Sequence, residues 1–197
     1  MPTNYPKSTP TEMMGFLALL NEHKGSEDLA RLAMDLDLEI DEILPSVDFA
    51  GTLQLVKLSD GRATLTDVGR RLIAGSIRDR KSILRDQLRR TALFKTLVRA
   101  LESSSTRKLS EAEMLRLIEF TTAPADELVQ NIINWGRYVE LFRYDPEEHV
   151  LWLPRGWQAR RPSAKPPSPP AATATARPAS SSAPSSDREP TTSVAGA

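Results

Sequence analysis

The side chains best suited to catalysis are scarce in this sequence. Its 197 residues include no cysteine and only two histidines, His23 and His149, which lie far apart in the chain. Without cysteine there is no thiolate nucleophile, disulfide or thiolate metal site, and two distant histidines offer little with which to bind zinc. A histidine base also needs an orienting partner and a nucleophile, which the sequence reveals for neither residue. We therefore expect no catalytic residue and no metal site.

The glycines and carboxylates form no recognisable catalytic motif. A phosphate-binding loop needs G-x-x-x-x-G-K-[ST], and none of the nine glycines is followed by lysine. The glycines are too dispersed for a dinucleotide fingerprint, and a G-x-S-x-G elbow is absent. The acidic run at 35–42 is typical of a solvated face rather than of the facing carboxyl pair that a glycosidase requires. The sequence therefore predicts a non-enzymatic protein without a cofactor.

The first half of the chain shows three helical segments followed by a hairpin. A capping box at Thr9-x-x-Glu12 predicts a helix over 10–22, and Ser26 is expected to cap a second helix over 27–36 whose core face includes Leu36. A third helix is expected over 40–53, with Pro45 tolerated only in its first turn. Strand-like runs at 54–58 and 62–65 flank Asp60-Gly61, a strong hairpin signal, and a helix capped by Thr66 is expected through residue 72.

The second half repeats this order. A long helix is expected over 79–102, and a capping box at Ser110-x-x-Glu113 opens the next helix, with Phe120 among its apolar residues. Pro124 is expected to start a helix with Trp135 on its apolar face, before strands at 139–144 and 149–153. Three helices and a hairpin are the order of a winged helix. We therefore predict a mainly α fold with short β-hairpins, in tandem winged-helix-like modules at 9–78 and 79–154.

Composition separates residues 155–197 from the rest of the chain. This segment is rich in proline, alanine and serine, and after Trp157 its only large apolar residue is Val194, so we predict a disordered C-terminal tail. The chain is neutral overall, but the tail is basic and the remainder mildly acidic. The longest apolar run, 16–20, is far shorter than the ~20 residues of a membrane span. We therefore expect a cytoplasmic protein without direct membrane insertion.

A winged helix raises the question of DNA binding. The helix before each hairpin would enter the major groove, yet residues 40–53 carry three acids and residues 124–135 two, and neither segment carries a base. Acidic side chains facing phosphates would repel them, so nucleic acid is not the favoured partner. The alternative is a transcriptional regulator that binds DNA through the Arg78 to Arg90 segment and the tail. A third possibility is a small-molecule sensor that uses the seam between the modules.

One basic segment and one aromatic cluster are the candidate sites. The basic segment favours a solvated, partly self-paired helix or a docking surface for an acidic partner. Trp135, Tyr138, Leu141 and Phe142 are expected to be core that pins the last helix to its hairpin, with Gly136 allowing close packing or ending the helix and Arg137 pairing with Glu140. The candidate partner-docking residues are Arg80, Lys81, Arg85, Arg89 and Arg137.

Five sequence blocks carry a resemblance to a known family. The block Asn-Trp-Gly-Arg-Tyr-Val-Glu-Leu-Phe-Arg-Tyr-Asp at 134–145 resembles the signature near the end of the AAA-associated C-terminal domain. That module follows the ATPase in the ATP-binding subunits of nitrate, sulfonate and taurine type ABC transporters. Segments 29–33, 41–45, 65–71 and 80–88 are similar to its earlier blocks, in the same order.

The resemblance implies an accessory domain, regulatory or mediating an interaction, without known catalytic residues. Because neither a phosphate-binding loop nor an LSGGQ-type signature is present, it implies action in trans on an ABC transporter ATPase subunit or a related protein. Such a protein would be cytoplasmic, peripheral at the inner membrane through the transporter. Whether the protein forms a homodimer is left open.

Overall fold

A computed structural model describes residues 5–118 and 125–154. The helices of this described part are α1 (Pro10–Glu22), α2 (Leu29–Asp35), α3 (Ile40–Thr52), α4 (Asp67–Ala74), α5 (Ile77–Leu88), α6 (Ala92–Ser103), α7 (Glu111–Leu117) and α8 (Ala125–Tyr138). Its strands are β1 (Ser26–Asp28), β2 (Val56–Ser59), β3 (Arg62–Leu65), β4 (Lys108–Ser110), β5 (Arg143–Asp145) and β6 (Val150–Trp152). The predicted tail, Phe120 and Pro124 lie outside the described residues.

The strands form two small antiparallel sheets, one in each half. The orders are β1-β3-β2 and β4-β6-β5, so a hairpin in each half pairs with a short strand from earlier in that half. The predicted class, mainly α with short β-hairpins, is confirmed. The third strand of each sheet was not foreseen. Whether the halves are winged helices stays a prediction.

Local signals placed most elements of the first half correctly. The capping box of Thr9 and Glu12 opens α1 at its predicted bounds, and Asp60 and Gly61 take φ angles of 50° and 74° in the predicted hairpin turn. The helix start expected at Ser26 was wrong. Ser26 pairs with Thr64 in the sheet, and Asp28 caps α2 by accepting a hydrogen bond from the backbone N–H of Ala30.

Pro45 corrects the expectation for the third helix. The helix begins at Ile40, so Pro45 lies in its second turn rather than its first. Proline there withholds one N–H from the helical hydrogen bonds. Asp41, whose carbonyl would have accepted that bond, is exposed, so water can take its place. Burial of Ile43 and Val47 against the core favours the helix despite this loss.

The long helix expected over 79–102 is two helices, α5 and α6. The chain turns at Thr91, whose extended backbone precedes α6 and whose hydroxyl donates to the Leu88 carbonyl at 2.7 Å. Leu88 and Leu97 are nine residues apart, which is about half a turn out of phase on a continuous helix. Both are fully buried, because the break lets each helix turn its own apolar face to the core.

One continuous cluster of buried apolar side chains runs through both halves. Helix α1 contacts α3 and α4 of the first half and α8 of the second. The segment before α1 also reaches the second half, since the Tyr5 hydroxyl donates to the Ile118 carbonyl at 3.1 Å. The described residues of the two halves therefore share one core.

Candidate functional site

Three of the five candidate docking residues lie on α5 and make contacts within the fold. Arg80 donates through Nη2 to the Ile73 carbonyl at 2.7 Å, and Arg85 donates through Nε to the Val139 carbonyl at 2.6 Å. The ammonium of Lys81 lies 2.8 Å from a carboxylate oxygen of Glu140. Lys81 and Arg85 thus contact the turn that follows α8, which we call the 139–142 turn, whereas Arg80 contacts the end of α4.

Two of these cations, Lys81 and Arg85, lie close to the carboxylate of Glu140. Its second carboxylate oxygen lies 3.6 Å from Arg85 Nη2, and its backbone has a φ of 58° in the 139–142 turn. The hydrogen bond from Lys81 lowers the pKa of the Glu140 carboxyl below its ordinary value of 4.5, and the charges of Lys81, Arg85 and Arg143 act in the same direction. The carboxylate is therefore stabilised in its ionised form by cations from another helix.

The predicted pair between Arg137 and Glu140 was wrong. Glu140 turns to α5 instead, and Arg137, in the last turn of α8, forms no ion pair among the described residues. Arg137 is exposed, whereas Arg80, Lys81, Arg85 and Arg89 are half-buried. Of the five candidates, Arg137 therefore has the side chain that solvent reaches most freely.

Trp135 is core, as predicted, but its contacts go beyond its own hairpin. The indole is fully buried, and its Nε1–H donates to the Ser8 carbonyl at 2.7 Å. Its ring meets Phe49 of α3 edge-on at 5.0 Å between centroids, and Tyr138 at 6.5 Å. Trp135 therefore connects the last helix to the first half of the chain and to the segment before α1.

Gly136 and Phe142 make the contact that holds the last helix to its hairpin. A Cβ at Gly136 would overlap the Phe142 ring, so glycine permits the close packing that the sequence suggested. The helix does not end there, because α8 continues to Tyr138. Leu141 and Phe142 are buried, whereas Tyr138 is half-buried against the core. The signature residues are thus structural, and they set the position of the 139–142 turn.

Each histidine has an orienting carboxylate that the sequence did not reveal. His23, the C-cap of α1, places Nε2 2.7 Å from Asp35 and Nδ1 3.3 Å from Glu27. His149 places Nδ1 2.7 Å from Glu111. These carboxylates orient the imidazole rings. Glu111 lies 38 positions from His149 and Asp35 12 positions from His23, whereas Glu27 is only four positions away.

Tyr144 forms a cluster with His149 and Glu111, which we call the His149 cluster. Its hydroxyl donates to Glu111 at 3.3 Å, and burial, followed by the Glu111 charge, raises the pKa of this phenol above its ordinary value of 10.0. The cluster joins the start of α7 to the β5–β6 hairpin.

Within residues 5–118 and 125–154, no group of three or more histidine and acidic side chains could hold a metal ion. In the same part of the chain, no helix has the length and apolarity needed to cross a bilayer.

Comparison with known proteins yields one match. The model of a family described as the C-terminal AAA-associated domain matches residues 30–145, more than half of the chain. The match covers α3, the α5 cations and the Trp135 block. Neither the search of curated proteins nor the search of solved structures returned a match.

Proposed function

The chain belongs to the C-terminal AAA-associated domain family, and from that premise we propose that it is a non-enzymatic accessory domain that regulates an ABC transporter. Its partner would be the ATP-binding subunit of a transporter of the nitrate, sulfonate or taurine type, contacted in trans. Family membership, which associates the chain with AAA or ABC proteins, is the observation that carries this proposal. The 197 residues contain no phosphate-binding loop, so any ATP hydrolysis would be performed by residues outside this sequence.

The use of the α5 cations supports a protein partner over DNA. Arg80, Lys81 and Arg85 donate to groups of the same chain, which leaves them less available for phosphates. Helix α3, which would read bases in a winged helix, exposes Asp41, Glu42 and Asp48. These contacts favour a protein partner over the DNA that a transcriptional regulator would bind.

Co-purification with the ATPase tests the proposal. The full chain would be mixed at native salt with the purified ATP-binding subunit of a nitrate, sulfonate or taurine type transporter from the same genome, with an unrelated P-loop ATPase as the matched control. We expect co-elution with the transporter subunit alone and a change of about fivefold or more in its rate of ATP hydrolysis. The chain alone is expected to hydrolyse no ATP.

Two results would contradict the proposal. One is the absence of both co-elution and any change in hydrolysis. The other is salt-dependent binding of duplex DNA that weakens when Arg85 and Arg89 are neutralised, because this result would favour the transcriptional regulator.

A further inference from the structure

Residues 34–42, which we call the 34–42 surface, alternate apolar and acidic side chains. The sequence is Met-Asp-Leu-Asp-Leu-Glu-Ile-Asp-Glu, and all nine residues are exposed. Four large apolar side chains therefore face solvent in one short segment: Met34, Leu36, Leu38 and Ile40. Leu36 was expected on the core face of the second helix, but α2 ends at Asp35 and Leu36 is 37% exposed. Scattered exposed leucines are ordinary, whereas large apolar side chains exposed together are typical of contact sites.

The backbone explains why these side chains stay outside. Helix α2 buries Leu32 and Ala33, turns Met34 outward, and ends at Asp35. Asp37 then takes a φ of 55°, a left-handed turn before α3 begins at Ile40. The connection leaves an open depression of about 360 Å³ lined by Met34, Asp37, Leu38, Glu39 and Glu42. Two apolar and three acidic side chains thus line the same depression.

The charges around this depression indicate which kind of partner it can bind. Between Arg31 and Lys57 the sequence has six acids and no lysine or arginine. Asp35 is engaged by His23 and Arg31, whereas Asp37 and Asp41 have no ion-pair partner among the described residues. A matching partner would bring both cations and apolar side chains to the depression.

We propose that the 34–42 surface binds a cationic amphipathic segment of the partner ATPase subunit, an inference that rests on the proposed function. A second copy of the chain fits less well, because two acidic surfaces would face each other in a symmetric dimer. The chain's own tail also carries cations. However, its only large apolar residues are Trp157 and Val194, whereas the 34–42 surface exposes four large apolar side chains. The proposed contact with the partner is therefore acidic, whereas the candidate docking residues suggested by the sequence are basic.

A synthetic peptide can test the surface directly. The probe is a fluorescein-labelled amphipathic helix of leucine and lysine about four turns long, and the control peptide has glutamate in place of lysine. Fluorescence anisotropy would measure binding to the full chain. We expect the lysine peptide to bind and to weaken as salt rises, and the glutamate peptide not to bind.

Matched variants locate the binding. The double variant Met34→Ser and Leu38→Ser removes side chains that are 71% and 42% exposed, and Ile77→Ser with Leu58→Ser removes side chains that are 74% and 47% exposed elsewhere. We expect the first pair to weaken binding about tenfold and the second to leave it unchanged. Asp37→Asn with Asp41→Asn should weaken binding about fivefold at low salt, whereas Glu22→Gln with Glu147→Gln should not. Circular dichroism would show that each variant is folded.

Several outcomes would overturn the inference. Equal loss of peptide binding in the matched pairs would show that binding is not located at the 34–42 surface. Tighter peptide binding after the tail cations are changed to glutamine would identify the tail as occupant. A dimer that Met34→Ser dissociates would identify a second copy.

The same variants separate this inference from the proposed function. If the wild-type chain and the Met34→Ser, Leu38→Ser variant bind the ATPase subunit equally, the surface fails and the function stands. If the peptide binds as expected but no ATPase co-elutes, the function fails, and the surface is a binding site for another cationic partner.

Discussion

Helix α5 is rich in cations and the 34–42 surface is rich in acids, but the two groups of charges make different contacts. On α5, the cations reach the backbone of Ile73 and the 139–142 turn, where Arg85 and Lys81 donate at 2.6 and 2.8 Å. At the 34–42 surface, Asp37 and Asp41 have no ion-pair partner among the described residues and stand beside exposed apolar side chains. One group helps to hold the fold, and the other faces solvent.

The difference teaches that the sign of a charge run does not decide its role. Long cationic side chains can cover neighbouring backbone with their aliphatic stems and still donate to a carbonyl. Short aspartates beside a helix start have less reach, so they stay at the surface unless a cation comes to them. Three predictions test this contrast by acting on the 139–142 turn and on the cations that hold it.

Gly136→Ala should have the largest effect. The new Cβ would overlap the buried Phe142 ring, and moving that ring would displace the turn that receives the α5 cations. We expect a loss of about 2–3 kcal/mol in the free energy of unfolding, measured by urea denaturation. Gly15→Ala is the control, because a Cβ there meets nothing within 4 Å and should stabilise α1 by about 0.5–1 kcal/mol. Equal stabilities would contradict the importance of the close packing.

Arg85→Met should have an intermediate effect. The substitution keeps an apolar stem but leaves the carbonyl of fully buried Val139 without its donor. The expected cost is about 1–2 kcal/mol in the free energy of unfolding. Arg78→Met, on an exposed part of the same helix, is the matched change and should stay within about 0.5 kcal/mol of wild type. If both variants were equally stable, α5 would be a solvated cationic face after all.

Glu140→Gln should have the smallest effect and the clearest dependence on pH. Because Lys81 lowers the pKa of this carboxyl, its ionised form stabilises the fold above 4.5, and that contribution is lost as pH falls through the lowered value. Because Glu140 is exposed, we expect at most about 0.5 kcal/mol between variant and wild type in the free energy of unfolding near neutral pH.

The comparison is made by thermal unfolding at neutral and at acid pH. The difference between Glu140→Gln and wild type should disappear in acid, where both side chains are uncharged. Glu147→Gln, an exposed neighbour in the hairpin turn, should show no such change. A difference that persists unchanged in acid would mean that the ion pair does not cause it.

Local signals predicted much of the fold because they act over a few residues. The capping boxes at Thr9 and Ser110 and the Asp60-Gly61 turn satisfy nearby backbone groups, so they can be recognised without the rest of the chain. The break after α5 was missed because two regular leucine pairs suggested one helix. The half-turn shift between Leu88 and Leu97 was a usable signal.

The candidate site was predicted less well. The sequence identified the cations of α5 and the Trp135 cluster, and it predicted correctly that Trp135, Leu141 and Phe142 are core, whereas Tyr138 is half-buried. It could not identify the acceptors, since Arg85 meets a carbonyl 54 positions away and Trp135 one 127 positions away. It also treated the acidic run as a plain solvated face. Acids alternate there with large apolar residues from Met34 to Ile40, which is the pattern of a half-buried strand, yet the structure has no strand in this segment.

By itself, the sequence determined the helix starts capped by Thr9, Thr66 and Ser110, the Asp60-Gly61 turn, the ordered family blocks and the lack of a phosphate-binding loop, because each is a local arrangement of residue types. Only the tertiary structure decided which charges hold the fold and which face solvent. Ion pairing and burial depend on what folding brings close, and Lys81 finds Glu140 across 59 positions of chain. For that reason, the surface proposed for the partner is acidic although the candidate docking residues of the sequence are basic.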